Sequence, residues 1–205
     1  MTLKIYYPVV AALALLFSSS ACFSQDGRTA YHDFWTETEA IFSNPETSPL
    51  LPDDAARFDS IARYPFNPKY RIKATWEPAE GAKPQSVKTT TEARRRMQKA
   101  GVLKFEVGGE KISLPVYRDL TAARMKVEDP WLFLPFTDLT NGSETYGGGR
   151  YIELNESDLR GESAVIDFNV AYNPYCVYNP KYSCPIPPAE NHIPVKIEAG
   201  ARVEQ

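Results

Sequence analysis

The stretch "ETYGGGRYIEL", Glu144 to Leu154, carries the residues best suited to chemistry. On a strand Arg150, Ile152 and Leu154 share one face, while Tyr151 and Glu153 share the other. Arg150 therefore points with apolar neighbours. A guanidinium facing a core needs a carboxylate or a bound anion. Glu144, Asp138 and Asp167 are the candidates. Asp167 stands in "AVIDFNVAY", a nearly continuous apolar run that reads as a strand buried on both faces. The expectation is a buried Arg150–Asp167 pair on neighbouring strands. Such a pair is either a structural ion pair or part of a pocket for a small polar or anionic ligand. The binding set for that pocket is Arg150, Glu144, Tyr146, Asp167, Asn169 and Tyr172. Gly147, Gly148 and Gly149 fit an anion nest or a tight turn feeding the strand. They are not a P-loop, because no Lys-Ser/Thr follows at the required spacing.

Hydrolysis is the alternative chemistry. Glu144 with Asp167, or Glu190, would supply a carboxylate pair. No GxSxG, HExxH or nucleotide fingerprint occurs, and nothing calls for a cofactor. Cys176 and Cys184 lie close in sequence within "DFNVAYNPYCVYNPKYSCPIPPAEN". Two cysteines without a second pair do not make a zinc site, and no metal is expected. The histidines are His32, on a predicted helix face, and His192, beyond a proline-rich turn from Cys184. A thiol nucleophile paired with His192 is the less favoured reading. In an oxidising compartment the pair reads as a disulfide closing a short loop, worth roughly 2–3 kcal/mol in the loop-entropy account. On that reading the segment is a staple. Its prolines stiffen it, its asparagines satisfy turns, and Tyr172, Tyr175, Tyr178 and Tyr182 clamp it to a sheet. The staple can also wall a pocket.

The compartment is read from the N-terminus. Lys4, the apolar run Ile5 to Phe17 and the small residues before Cys22 form an export signal. "SSAC" resembles a loose lipobox that would lipidate Cys22, with Ser19 where an aliphatic residue is usual. Ordinary cleavage before Gln25 is the alternative. Residues 1–24 are thus assigned to a signal and 25–205 to one globular domain, with a membrane reached only through a lipid anchor. The net charge of −3 argues against nucleic acid as a partner. The basic run Arg94-Arg95-Arg96, with Lys99, reads as the solvated start of a strand or as a site for an anionic partner.

The elements that must position these groups follow from periodicity. Gln25 to Asn44 carries an apolar helical stripe of Tyr31, Phe34, Trp35, Thr38, Ile41 and Phe42. Asp53 to Ala62 is a second, short helix. "YRIKATWE" alternates as a half-buried strand, and Ser86 to Thr91 is expected as its partner. Leu103 to Val107 and Ile112 to Val116 flank a Gly108-Gly109 hairpin turn. Trp131 to Phe136, Arg150 to Leu154 and Ala164 to Val170 complete seven to nine strands. The fold class is mainly β (α+β): short N-terminal helices packed on an antiparallel sandwich or open barrel.

The strings "LPFTDLTNGSETYGGGRYIEL" and "DFNVAYNPYCVYNPKYSCPIPPAENHIPVKIEAG" resemble the signature of an uncharacterised prokaryotic family, domain-of-unknown-function family 1684. The likeness runs from about Phe34 to Gly200 and is densest from Pro135 onward. It implies a mostly-β domain and no particular activity. This chain has His192 where the family commonly has Arg, so a role carried by that positive charge does not transfer. Three function classes stay open: a binding module for a small polar or anionic ligand, an envelope hydrolase, and a structural or partner-binding lipoprotein.

Overall fold

The computed structural model describes residues 14–120, 131–159 and 161–203, with side chains from residue 27 onward. The segment carrying Lys4 and most of the apolar run lies outside the described residues, as does the side chain of Cys22. Helix α1 spans Ala14–Ser43 and α2 is a single turn, Pro52–Ala55. Eight strands follow among the described residues: β1 Arg71–Pro78, β2 Gln85–Lys88, β3 Arg94–Val107, β4 Glu110–Asp119, β5 Trp131–Asp138, β6 Arg150–Asn155, β7 Ser163–Asp167 and β8 His192–Ile193. They form one sheet in the order β6-β5-β4-β3-β1-β7, with β2 beside β3 and β8 beside β5. Only the short β5–β8 pairing is parallel. The sheet curls into a half-barrel, so the open-barrel reading holds and a sandwich does not form.

Local chemistry explains the frame. Gly108 and Gly109 both take positive φ, 61° and 82°, which a tight β3–β4 hairpin requires. Gly101 sits at a bulge in β3, where an added Cβ would collide with the Trp76 ring. β5 is buried at five successive positions, Leu132 to Phe136, so both of its faces are covered. Leu132, Leu134 and Phe136 join the main core with Leu103, Leu114, Val116 and Ile152. Phe133 faces the other way, onto a second cluster with Met97, Tyr117, Tyr151 and Cys184. Helix α1 and the segment after β7 roof that second face, and Tyr31, Trp35 and Phe42 anchor a third cluster there.

Pro115 and Pro135 lack N–H groups, and β4 meets β5 in the ladder at Tyr117↔Phe133. The buried Asn191 amide donates to both proline carbonyls, at 2.8 and 2.7 Å. One side chain thus replaces missing ladder bonds between the two strands.

Several elements differ from the sequence expectation: α1 begins at Ala14 and not at Gln25, and β2 pairs with β3 and not with β1. The second helix stops after one turn, and further along the Ile61 N–H donates to Glu39 Oε1 at 3.0 Å and not to a helical carbonyl. Phe58 and Ile61 still pack inward. β7 ends at Asp167, because the Asp167 carboxylate accepts the Asn169 N–H at 2.9 Å and turns the chain into a 3-10 helix, Phe168–Val170. Its burial alternates, with Val165 exposed, so β7 is half-buried and not covered on both faces.

Candidate functional site

Arg150 points into the core, as its strand phase requires, and has no solvent exposure. Its partner is not Asp167. β6 and β7 stand at opposite ends of the sheet, which rules out the expected pair. Arg150 Nη2 instead donates to Asp138 Oδ2 at 2.7 Å and to the Ile197 carbonyl at 2.9 Å. Nη1 donates to the carbonyls of Ala199 and Ala201. The guanidinium lies over the Phe136 ring, 5.2 Å from its centroid. Asp138 in turn accepts the Thr140 N–H at 2.7 Å. These bonds make a clasp that pins the C-terminal segment 197–201 to β6, with Nε the one guanidinium nitrogen that has no partner among the described residues. The fork of a buried guanidinium suits it to three carbonyls and one carboxylate.

The other expected binding residues are distributed among separate networks. Glu144 accepts from Lys196 and Tyr64, both at 2.8 Å, and these bonds hold its carboxyl below the usual carboxylate range. Asp167 pairs with Arg71 at 3.5 Å across the β1–β7 ladder. Burial raises its pKa against the opposing pull of Asn169 and Arg71. Asn169 holds both backbone groups of Asn67 and accepts the Trp35 indole N–H on its own carbonyl at 3.1 Å. It docks α1 to the domain. Burial and the neighbouring Cys176 push the Tyr146 phenol up. Glu190 accepts from the buried Tyr117 hydroxyl and from Lys99. No two of these carboxylates share a partner. Gly149 takes φ 92° with its N–H donating to Tyr146, and an added Cβ would meet Phe136 and Pro187, so the triple glycine is a turn feeding β6.

Tyr172 alone of the six expected residues borders a sizeable cavity. A cleft of about 450 Å³ lies at the seam between the second and third clusters. Phe34 and Phe42 come from α1, Trp131, Phe133 and Tyr151 from the sheet, and Tyr172, Tyr175, Tyr178 and Tyr182 from the strap after β7. The volume is that of a small-molecule site. The rings meet edge-on: Phe133 and Tyr151 at 4.6 Å, Tyr151 and Tyr172 at 5.8 Å. Tyr172 donates to Glu153 Oε1 at 2.6 Å, and burial raises its pKa well above the ordinary phenol value. Arg95 turns into the cleft and pairs with Asp119 at 3.2 Å, while Arg94 and Arg96 stay exposed. The signal that could have revealed this wall was in "WLFLPF": a run apolar at every position demands a cover on both faces.

The expected Cys176–Cys184 disulfide is not formed; both are free thiols. The Cys176 N–H donates to Cys184 Sγ at 3.3 Å. Cys184 is buried against Phe133 and Tyr151, and burial pushes its thiol up to about 12. The strap is held instead by Thr90 N–H to the Cys184 carbonyl at 2.9 Å, Ile186 N–H to the Lys88 carbonyl at 2.9 Å and Ser183 to Thr89 at 2.8 Å. A buried thiol acts here as a small hydrophobe. His192 is exposed and contacts Thr137 Oγ1 at 3.0 Å. Among the described residues no group of three His, Cys, Asp or Glu side chains could hold a metal ion.

Comparison with known proteins agrees with this architecture. An uncharacterized protein of Haloarcula marismortui, solved by solution NMR, is similar at 34% identity over 88% of this chain and 96% of its own, with a TM-score of 0.70. No curated protein matches. The family described as "Protein of unknown function (DUF1684)" matches residues 56–202, a span that contains the Arg150 clasp, Asn191 and the whole tyrosine strap, and the chain belongs to that family.

Proposed function

We propose that the protein is a non-enzymatic binding module whose site is the aromatic cleft, and that it takes a small polar ligand with an apolar body. The observation that carries this is the cleft itself: about 450 Å³ walled by ring faces from a helix, a sheet and a strap. Cores normally close such a seam by packing. The anionic part of the earlier expectation rested on Arg150, and that side chain has no solvent exposure and both of its Nη atoms are taken by Asp138 and backbone carbonyls. A hydrolase is less favoured, because Glu144, Asp167 and Glu190 each answer to different partners. Export through residues 1–24, with either lipidation at Cys22 or cleavage before Gln25, belongs to the proposal. It is supported by the charge and apolar pattern of that segment. No described helix is long and apolar enough to cross a membrane.

The test is chemical-shift mapping of the isotope-labelled domain with a library of soluble fragments. Perturbations clustered on Phe34, Trp131, Tyr172 and Tyr182 are the expected outcome. A library that leaves those resonances unmoved overturns the reading.

A further inference from the structure

Resting on the cleft as a binding site, we infer that its ligand presents a small organic cation, an amine or quaternary ammonium group, to the tyrosine wall. The charged residues lining the cleft are Glu37, Glu153, Asp119 and Arg95. Arg95 is matched by Asp119. That leaves Glu37 and Glu153 without a cation among the described residues, and the Tyr172 hydroxyl already fixes one Glu153 oxygen. An anion entering this cleft would meet two carboxylates at its rim, a repulsion that solvent weakens without reversing its sign.

The unfilled hydrogen-bonding capacity points the same way. Asn173 is 3% exposed and lines the cleft. Its Nδ2 donates to the Arg202 carbonyl at 3.0 Å, but its Oδ1 has no donor among the described residues. A buried acceptor without a donor is costly, but this oxygen has no accessible surface in the cleft as it stands, so a ligand N–H or O–H reaches it only if the strap gives. The cleft therefore offers carboxylates as accessible acceptors, while the Arg95 guanidinium is paired with Asp119. Ring faces supply the rest. Their negative quadrupoles attract an alkylammonium group at about 6 Å or less from the centroid. Cation, donor and apolar body are the three features this lining complements.

The experiment compares three probes of one shape: choline, 3,3-dimethylbutan-1-ol as its neutral counterpart, and 3,3-dimethylbutanoate as the anion. Each is titrated into the labelled domain while the Trp131 indole and the Tyr172 and Asn173 amides are followed. The expected result is choline binding at least about fivefold tighter than the alcohol, with the carboxylate weakest. Glu153→Gln and Glu37→Gln should each shrink that preference without unfolding the domain, since both side chains are exposed on the cleft rim. Equal or tighter binding of the alcohol or the carboxylate at the cleft overturns the cation inference and leaves the binding module standing. Silence from all three probes, with fragments still shifting the cleft, has the same meaning. If neither the probes nor the fragment library moves the cleft resonances, both readings fall together.

Discussion

The Arg150 clasp and the tyrosine cleft lie on opposite faces of the same two strands, β5 and β6, and they handle polarity in opposite ways. The clasp buries a charge completely and surrounds it with a carboxylate and three carbonyls. The cleft leaves carboxylates at a rim and lines the space between with rings. A network that takes up both Nη atoms and seals out solvent gives order to a chain end. An incomplete one leaves capacity for a ligand. Strong chemistry in a sequence, such as an inward arginine, need not mark the functional site.

Mutations sharpen this contrast, beginning with the clasp. Arg150→Met would strand the Asp138 carboxylate and the carbonyls of the C-terminal segment in the core. Removing one partner of a buried pair costs about 3–5 kcal/mol, so urea unfolding should show a large loss of stability or no fold at all. Asn191→Ala should be next. It leaves the Pro115 and Pro135 carbonyls without their donor, and each buried orphan costs about 1–3 kcal/mol; the melting temperature reads the loss. Tyr175→Ala, at a partly exposed cleft position, should change stability by within about 0.5 kcal/mol while weakening whatever binds the cleft. If Tyr175→Ala instead destabilises as much as Asn191→Ala, the cleft is a packing seam and the contrast disappears.

Two smaller effects test the electrostatics. Because burial raises the Cys184 thiol to about 12, native protein at pH 8 should resist alkylation there, and both cysteines should label in denaturant. A disulfide found by mass would contradict the free-thiol structure. Glu144 is held below the usual carboxylate range by Lys196 and Tyr64. Its contribution is therefore present above the unfolded pKa and is lost as pH falls through the lower folded value. The difference in melting temperature between wild type and Glu144→Gln should be small at pH 7 and vanish in acid.

Much of the fold was legible because periodicity is local. β1, the β3–β4 hairpin and β6 follow from alternation and glycine turns, β5 from its continuous apolar run, and the inward direction of Arg150 from strand phase. Its partner was not legible, because it depends on strand order. Asp138 ends the strand beside β6, whereas Asp167 lies at the far edge of the sheet. The shortened β7 was misread for a related reason. Asp167 captures a backbone N–H group through its side chain, and propensity does not register such a capture. The tyrosine strap was recognisable as a clamp. That it meets α1 to enclose a cleft requires α1 to dock through Trp35 on Asn169, a contact spanning much of the chain.

The most direct measurement is native mass spectrometry of protein purified from its own host, wild type beside Thr38→Trp. Thr38 lines the cleft and bonds its own helix at Phe34, so the indole fills the space at little cost to the fold. The account predicts that wild type carries a small-molecule mass and that Thr38→Trp does not. A bare wild type, or an adduct that survives the substitution, would contradict it.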